Sequence, residues 1–152
     1  MEQPKQRQAS RLILVDREER VLLCRHQGAV GREFWAPPGG GLEAGETFEQ
    51  AAGREIAEEL GLKNTRLTFL WEGFTDFVYL DRRVHQHERF FLVAPGLPAL
   101  SPDVQKIHEH EGILELRWWT LAELESTEEH VFPADLVPRL RQFALPLAAK
   151  AQ

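Results

Sequence analysis

The sequence predicts a mixed α/β fold, with a sheet sandwiched between helices, from three observations. Short apolar runs bounded by turn residues outnumber helical stretches. The two convincing helices, one beginning at Thr47 and one near residue 135, lie far apart in the chain, so strands must fill the interval. The 152 residues are 43% hydrophobic and 28% charged, which suits a single domain over 1–152 with a true core.

Taken in order, residues 1–8 read as a flexible polar arm without the apolar centre of a signal peptide. Arg11 to Val15 and Val21 to Arg25 are apolar runs suited to strands covered on both faces, joined by the charged turn DREER. A loop follows, then a brief strand at Phe34–Ala36 that stops at Pro37-Pro38 and leads into Gly39, Gly40 and Gly41. Thr47 with Gln50 three residues on is a capping-box pattern. Ala52, Ile56 and Leu60 form the apolar stripe of that helix, and Gly61 is placed to end it in a left-handed conformation.

Leu67 to Phe74 and Val84 to Ala94 read as strands separated by a loop, TDFVYLDRR. The stretch from APGLPALSPD to Gly112 reads as loop, and Ile113 to Thr120 as a strand. LAELE starts a short helical turn. A last helix opens at Pro133 or Asp135, with Leu136, Leu140, Phe143 and Leu147 as its buried face and Pro138 in its first turn.

The chemistry concentrates between Gly40 and Leu62. Glu55, Glu58 and Glu59 stand at i, i+3 and i+4, on one flank of a helix, where like charges repel. A divalent cation would compensate, and an oxygen-only donor set suits Mg2+, with Mn2+ as substitute. From Gly40, five residues lead to Glu46, seven more precede Arg54-Glu55-Ile56, and Glu58-Glu59, Gly61 and Leu62 complete the pattern. This spacing resembles the signature of the Nudix hydrolases at every defined position.

The resemblance implies an α/β/α sandwich with a mixed sheet, the signature forming a loop–helix–loop. It implies a metal-dependent pyrophosphohydrolase that cuts a phosphoanhydride bond in a nucleoside diphosphate linked to another group. On that reading Glu58 and Glu59 are metal ligands, Glu55 is a further ligand or the general base, and the Gly40 carbonyl completes the shell. Arg54 joins this catalytic set by holding the signature loop to its helix through Glu46. A later carboxylate could serve as base instead, and Glu109, Glu111 and Glu115 are the candidates.

The substrate is expected to be a nucleoside triphosphate or a related small nucleotide. ADP-ribose or a dinucleoside polyphosphate stands as the alternative, as does a sensor module that binds a nucleotide without turnover. Arg25, Trp35, Glu115 and Asp135 are candidate substrate contacts. Asp135 lies in Phe132-Pro133-Ala134-Asp135, which resembles a stretch of the branch that cleaves 8-oxo-dGTP, although helix capping explains it equally well. His26, Arg32, Arg82, Arg83 and Arg89 are further cations that could meet phosphate, and Phe74, Phe77, Tyr79 and Trp118 could stack on a base.

The composition narrows the rest. A net charge of −6 argues against a protein built to grip extended nucleic acid. No apolar run approaches the roughly 20 residues that cross a bilayer, so the expected setting is cytoplasmic, and a homodimer is compatible with it. Cys24 is the sole cysteine and reads as a buried strand residue. His85 and His87, like His108 and His110, have period-two spacing, but nothing joins the pairs into a zinc site.

Overall fold

The computed structural model describes residues 3–28, 32–62, 65–94 and 113–151. Two sheets form the middle of the molecule. A four-stranded mixed sheet runs β4-β1-β6-β5, built from β1 (Lys5–Ile13), β4 (Gly39–Gly41), β5 (Arg66–Tyr79) and β6 (Arg82–Ala94). A three-stranded antiparallel sheet runs β3-β2-β7, built from β2 (Val21–Gln27), β3 (Glu33–Ala36) and β7 (Ile113–Trp119).

β1 and β6 pair in parallel, and every other ladder is antiparallel. Parallel neighbours need a long crossover, and here it carries the signature helix α1 (Phe48–Glu55), which continues as a π-helical turn, Ile56–Leu60. Chain order then gives α2 (Leu121–Ser126) and α3 (Leu136–Arg139), a second π-helical turn (Leu140–Ala144), and α4 (Leu145–Ala151).

The helices cover opposite faces of the larger sheet. On one side Phe48, Ala52, Ile56 and Leu60 pack against Leu12, Leu14, Leu22, Phe91 and Val93. On the other, Leu136, Leu140, Ala144 and Ala148 pack against Ile13, Leu23, Trp35, Trp71, Phe90 and Trp119. That second face changes character along β1. Its alternate residues are apolar at Ile13 and cationic at Arg11, Arg7 and Lys5, so the helices seal one end and leave a charged cleft at the other.

Several expectations are corrected. Residues 5–8 are not an arm, because β1 begins at Lys5 and pairs with Val84–His87 of β6. The loop expected around TDFVYLDRR is a continuous hairpin, turned by Leu80 and Asp81 at φ 48° and 62°, the doubly left-handed turn that fits strand twist. The last helix buries Ala144 and Ala148, while Phe143 is only partly buried and Leu147 is 38% exposed. Its π-helical turn takes more residues per revolution, which keeps i+4 neighbours in line and carries the i+3 series off the buried face.

Other expectations agree. Thr47 caps α1 in a capping box with Gln50, and Gly61 closes the segment at φ 65°. Cys24 is buried, and that burial pushes its thiol well up. Among the described residues no helix is long and apolar enough to cross a membrane.

Candidate active site

Arg54 organises the signature. Its Nε and Nη2 donate to the two Glu46 carboxylate oxygens at 2.8 and 2.9 Å, a bidentate fork, and Nη2 also reaches the Gly41 carbonyl at 3.0 Å. Its Nη1 donates to Glu55 Oε1 at 2.9 Å and to Glu58 Oε2 at 3.3 Å. Glu46 in turn accepts the Glu43 backbone N–H at 2.7 Å. One guanidinium thus ties the loop, the strand β4 and the helix together. Arg54 beside it, helped by the Glu43 N–H, pulls the Glu46 carboxyl down to about 2, and Glu46 above all raises Arg54.

The three signature carboxylates are not equivalent. Glu55 and Glu59 are buried, at 6% and 4% exposure, whereas the Glu58 side chain is 47% exposed and pairs with Arg54. The π-helical turn accounts for this. With more residues per revolution, Glu59 stays close above Glu55 while Glu58 falls further round the helix. Among the described residues no three His, Cys, Asp or Glu side chains gather as a bound ion would need, so the single three-carboxylate flank expected from ideal helical spacing is not seen.

Both buried carboxylates meet the glycine strand. Glu59 Oε2 accepts the Gly39 N–H at 3.1 Å. A Cβ on Gly40 would stand 2.6 Å from Glu55 Oε1, so only glycine admits the carboxylate this close to the backbone. Gly39, at φ 142°, lies so near the Ser10 carbonyl that any side chain would overlap it. The donors gathered here are all oxygen, which is the chemistry a hard divalent cation selects.

The glycine strand, Glu55 and Glu59 line a cleft of about 1010 Å³ between the sheets. Its floor is the polar end of β1 and its neighbours. Arg7 Nη1 donates to Gln86 Oε1 of β6. Arg11 Nε donates to Glu88 Oε2 at 2.8 Å, and the Thr75 hydroxyl donates to Glu88 Oε1 at 2.8 Å, a chain across three strands. Arg7 is lowered by burial and by the neighbouring charge of Arg11.

One wall is aromatic. His26 stacks on Phe34 at 5.2 Å, and Phe34 meets Phe132 edge-on at 5.5 Å. Phe132 is brought there by the segment 130–132, which clips to β3 through Trp35 N–H to the His130 carbonyl and Phe132 N–H to the Trp35 carbonyl, both at 2.8 Å. His26 Nε2 is buried without a hydrogen-bond partner. Burial, and then Arg11, pull His26 down to about 4, so the ring is neutral at pH 7.

The four expected substrate contacts do not line this cleft. Arg25 sits one residue before His26, and the pleat sends it to the opposite face, where it pairs with Glu33 and, at 3.2 Å, with Glu115. Trp35 misses by the same single residue relative to Phe34. It is 3% exposed, packs on Trp119 at 5.1 Å and donates to Glu129 at 3.2 Å, so it belongs to the core. Asp135 pairs with Arg139 at 3.0 Å and makes no side-chain cap.

Other expectations divide. His26, Arg32, Arg82, Phe77 and Tyr79 do line the cleft. His85 and His87 share a face, held by Asp76 at 2.6 Å and Glu72 at 2.5 Å, with Phe74 stacked on both rings. Glu109, Glu111, His108 and His110 lie outside the described residues. Arg7, Arg11, Thr75, Gln86 and Glu88 were not singled out by the sequence. The available signal was the cationic alternation Lys5, Arg7, Arg11, hidden by reading 1–8 as an arm.

Comparison with known proteins gives one consistent family. The family model for the NUDIX domain matches residues 5–140. The chain is 36% identical over 96 residues to a putative mutator protein MutT4 of Mycobacterium tuberculosis, a match covering 63% of this chain and 36% of that protein. The chain therefore spans little more than a third of that relative's length. It is 30% identical over 122 residues to an asymmetrical bis(5'-nucleosyl)-tetraphosphatase of Caenorhabditis elegans, covering 80% and 82% of the two chains. A MutT protein of Methanosarcina mazei shares the fold with a TM-score of 0.66 at 16% identity, over 93% of this chain and 95% of that one.

Proposed function

The chain belongs to the Nudix hydrolase family, and from that premise we propose that it is a pyrophosphohydrolase cutting a phosphoanhydride bond in a small nucleotide. The observation that carries the reading is the pair of buried carboxylates, Glu55 and Glu59, set against a glycine strand at the edge of a cleft that also holds Arg7 and Arg11. Carboxylates repel a diphosphate, so burying two of them at its seat makes sense only with a cation to share.

Family members generally use a divalent metal, and the all-oxygen donor set fits magnesium, with manganese as substitute. Glu55, Glu59 and the Gly40 carbonyl would hold it, and Glu58, here paired to Arg54, is the third carboxylate of the signature. Such an ion, when bound, would neutralise diphosphate oxygens and lower the pKa of a water.

The chain's own residues have separate tasks. Arg54 fixes Glu55 against β4, so the carboxylate is placed before substrate arrives. Glu55 is the candidate general base where it is not a ligand. The Arg11–Glu88–Thr75 chain stiffens the floor, and the wall of His26, Phe34 and Phe132 offers a planar surface to a base. A cytoplasmic setting is part of the same proposal.

A nucleoside triphosphate is the first substrate class. A dinucleoside polyphosphate is the second, because the nematode relative carries that activity in its name and because Phe77 and Tyr79 add further aromatic side chains to the cleft lining. The test is phosphate release across canonical and oxidised dNTPs, dinucleoside polyphosphates, ADP-ribose, NADH and nucleotide sugars, with magnesium and with chelator. Chelator-sensitive cleavage of one class is expected. Nucleotide binding without any cleavage would replace the hydrolase with a sensor module.

A further inference from the structure

The cleft holds two arginines on one face of β1, and among the described residues only one of them is ion-paired. Arg11 is satisfied. Its Nε meets Glu88 Oε2 at 2.8 Å in a pair whose side chains are only 15% and 9% exposed, so its charge is matched inside the protein. Arg7 has no such match. The side chain bonded to it, Gln86, is a neutral amide, and among the described residues Arg7 makes no ion pair. Gln86 is itself 3% exposed, so the contact is a built feature of the floor and not a surface encounter.

Position adds to this. A Cβ on Gly41 would stand 2.7 Å from Arg7 Nη2, and one on Gly40 would stand 2.6 Å from Glu55 Oε1. Arg7 and Glu55 therefore flank the same three-residue glycine strand, a cation and a carboxylate over adjacent glycines. In a chain of net charge −6, a guanidinium that faces the cleft and is bonded to an amide, with Glu55 and Glu88 near it but neither ion-paired to it, is a seat for an anion brought by a ligand. Its planar fork matches phosphate oxygens, and Gln86 fixes the fork without cancelling its charge.

We infer that Arg7, oriented by Gln86, binds the polyphosphate of the substrate next to the signature carboxylates, while Arg11 is a structural cation that substrate does not meet. The inference rests on the nucleotide reading above and names the residue that makes phosphate number matter. It also explains why Gln86 is an amide at a position where glutamate would give a stronger internal pair.

The experiment is a calorimetric titration of adenosine, AMP and the non-hydrolysable α,β-methylene analogues of ADP and ATP, at one fixed magnesium concentration so that the signature carboxylates are neutralised alike throughout. The wild-type chain is expected to bind more tightly with each added phosphate. Arg7→Gln should flatten that series, weakening the ATP analogue about ten- to a hundredfold while leaving adenosine unchanged. Gln86→Glu keeps the arginine but gives it an internal carboxylate, and should flatten the series in the same way. Arg7→Lys should recover part of it.

The inference is overturned if both Arg7→Gln and Gln86→Glu bind the ATP analogue like the wild type, if they lose adenosine and that analogue equally, or if the wild type gains nothing from added phosphates. Magnesium-dependent turnover of the wild type is scored separately. Its absence would end the hydrolase reading and leave the binding series to decide the role of Arg7.

Discussion

The signature segment and the cleft floor lie side by side, yet they are built in opposite ways. The signature is local. Arg54 reaches Glu46, Glu55 and Glu58 within eight residues, so its carboxylate network needs no distant strand. The floor is assembled from a distance: Arg7 meets Gln86 79 residues away, and Arg11 meets Glu88 77 residues away. The proposed chemistry is written in one helix and its loop, and the proposed substrate contacts are collected from strands that only the whole fold brings together.

The sharpest way to break this contrast is to disarm the local half alone. Glu59→Gln and Glu55→Gln should each lower metal-dependent turnover by about a hundredfold or more, with far-UV circular dichroism unchanged. Glu58→Gln should do the same, although Glu58 is exposed. Full phosphate release from that variant would confine the essential set to the two buried carboxylates.

Removing the organiser comes next. Arg54→Ala frees Glu46 and Glu55 together and should cost about 2 kcal/mol in urea unfolding, besides most of the turnover. Arg54→Lys should not restore it, because an ammonium cannot make the bidentate fork to Glu46. Recovery by lysine would mean that only the charge matters.

The two halves also differ in acid. His26, on the cleft wall, is held at about 4 against its ordinary 6.5, so the unfolded chain takes the proton first. Its contribution is complete above 6.5 and is lost as pH falls toward 4, amounting to about 3 kcal/mol at most. Glu46, in the signature, is held at about 2 against 4.5, so its contribution persists above 4.5 and is lost only as pH falls toward 2. Between 6.5 and 4.5 only the His26 contribution should fade. Urea midpoints of wild type and His26→Asn across that window should converge as pH falls, and parallel curves would contradict the assignment.

The smallest expected effect lies at the rim. Leu80 adopts φ 48° while 81% exposed, a conformation that branched L side chains resist. Leu80→Asn with Asp81→Gly supplies the residues this turn prefers and should raise stability by about 1 kcal/mol in thermal unfolding. No gain would show that the hairpin is held by its long ladder and not by its turn.

The same contrast decides what could be read from the sequence. The Thr47–Gln50 capping box, the Ala52–Ile56–Leu60 stripe and the Gly61 stop follow from local rules, and each is present. The strands at β2, β3, β6 and β7 were legible as apolar runs, but of β1 only residues 11–13 were read and of β5 only the part to Phe74. Faces were not. Arg25 and Trp35 were expected at the substrate, whereas it is their neighbours His26 and Phe34 that line the cleft, since one step along a strand reverses direction and nothing local says which side holds the cleft. Arg7 and Arg11 were invisible because a polar N-terminal stretch looks like an arm until β6 pairs with it. The inequality of Glu55, Glu58 and Glu59 comes from a π-helical turn that ideal helical spacing does not foresee.

The parallel pairing of β1 with β6 also sets an order of events during synthesis. The chain emerges N-terminus first, so Lys5–Ile13 must wait, unpaired along that edge, until residues 84–92 have left the ribosome. By then the Thr47-capped helix and its Arg54 network, whose partners are near neighbours, have had time to form. A nascent chain would thus carry its reaction machinery before it has a pocket to use it in, and slowing the decoding of β6 would prolong the life of that half-made enzyme.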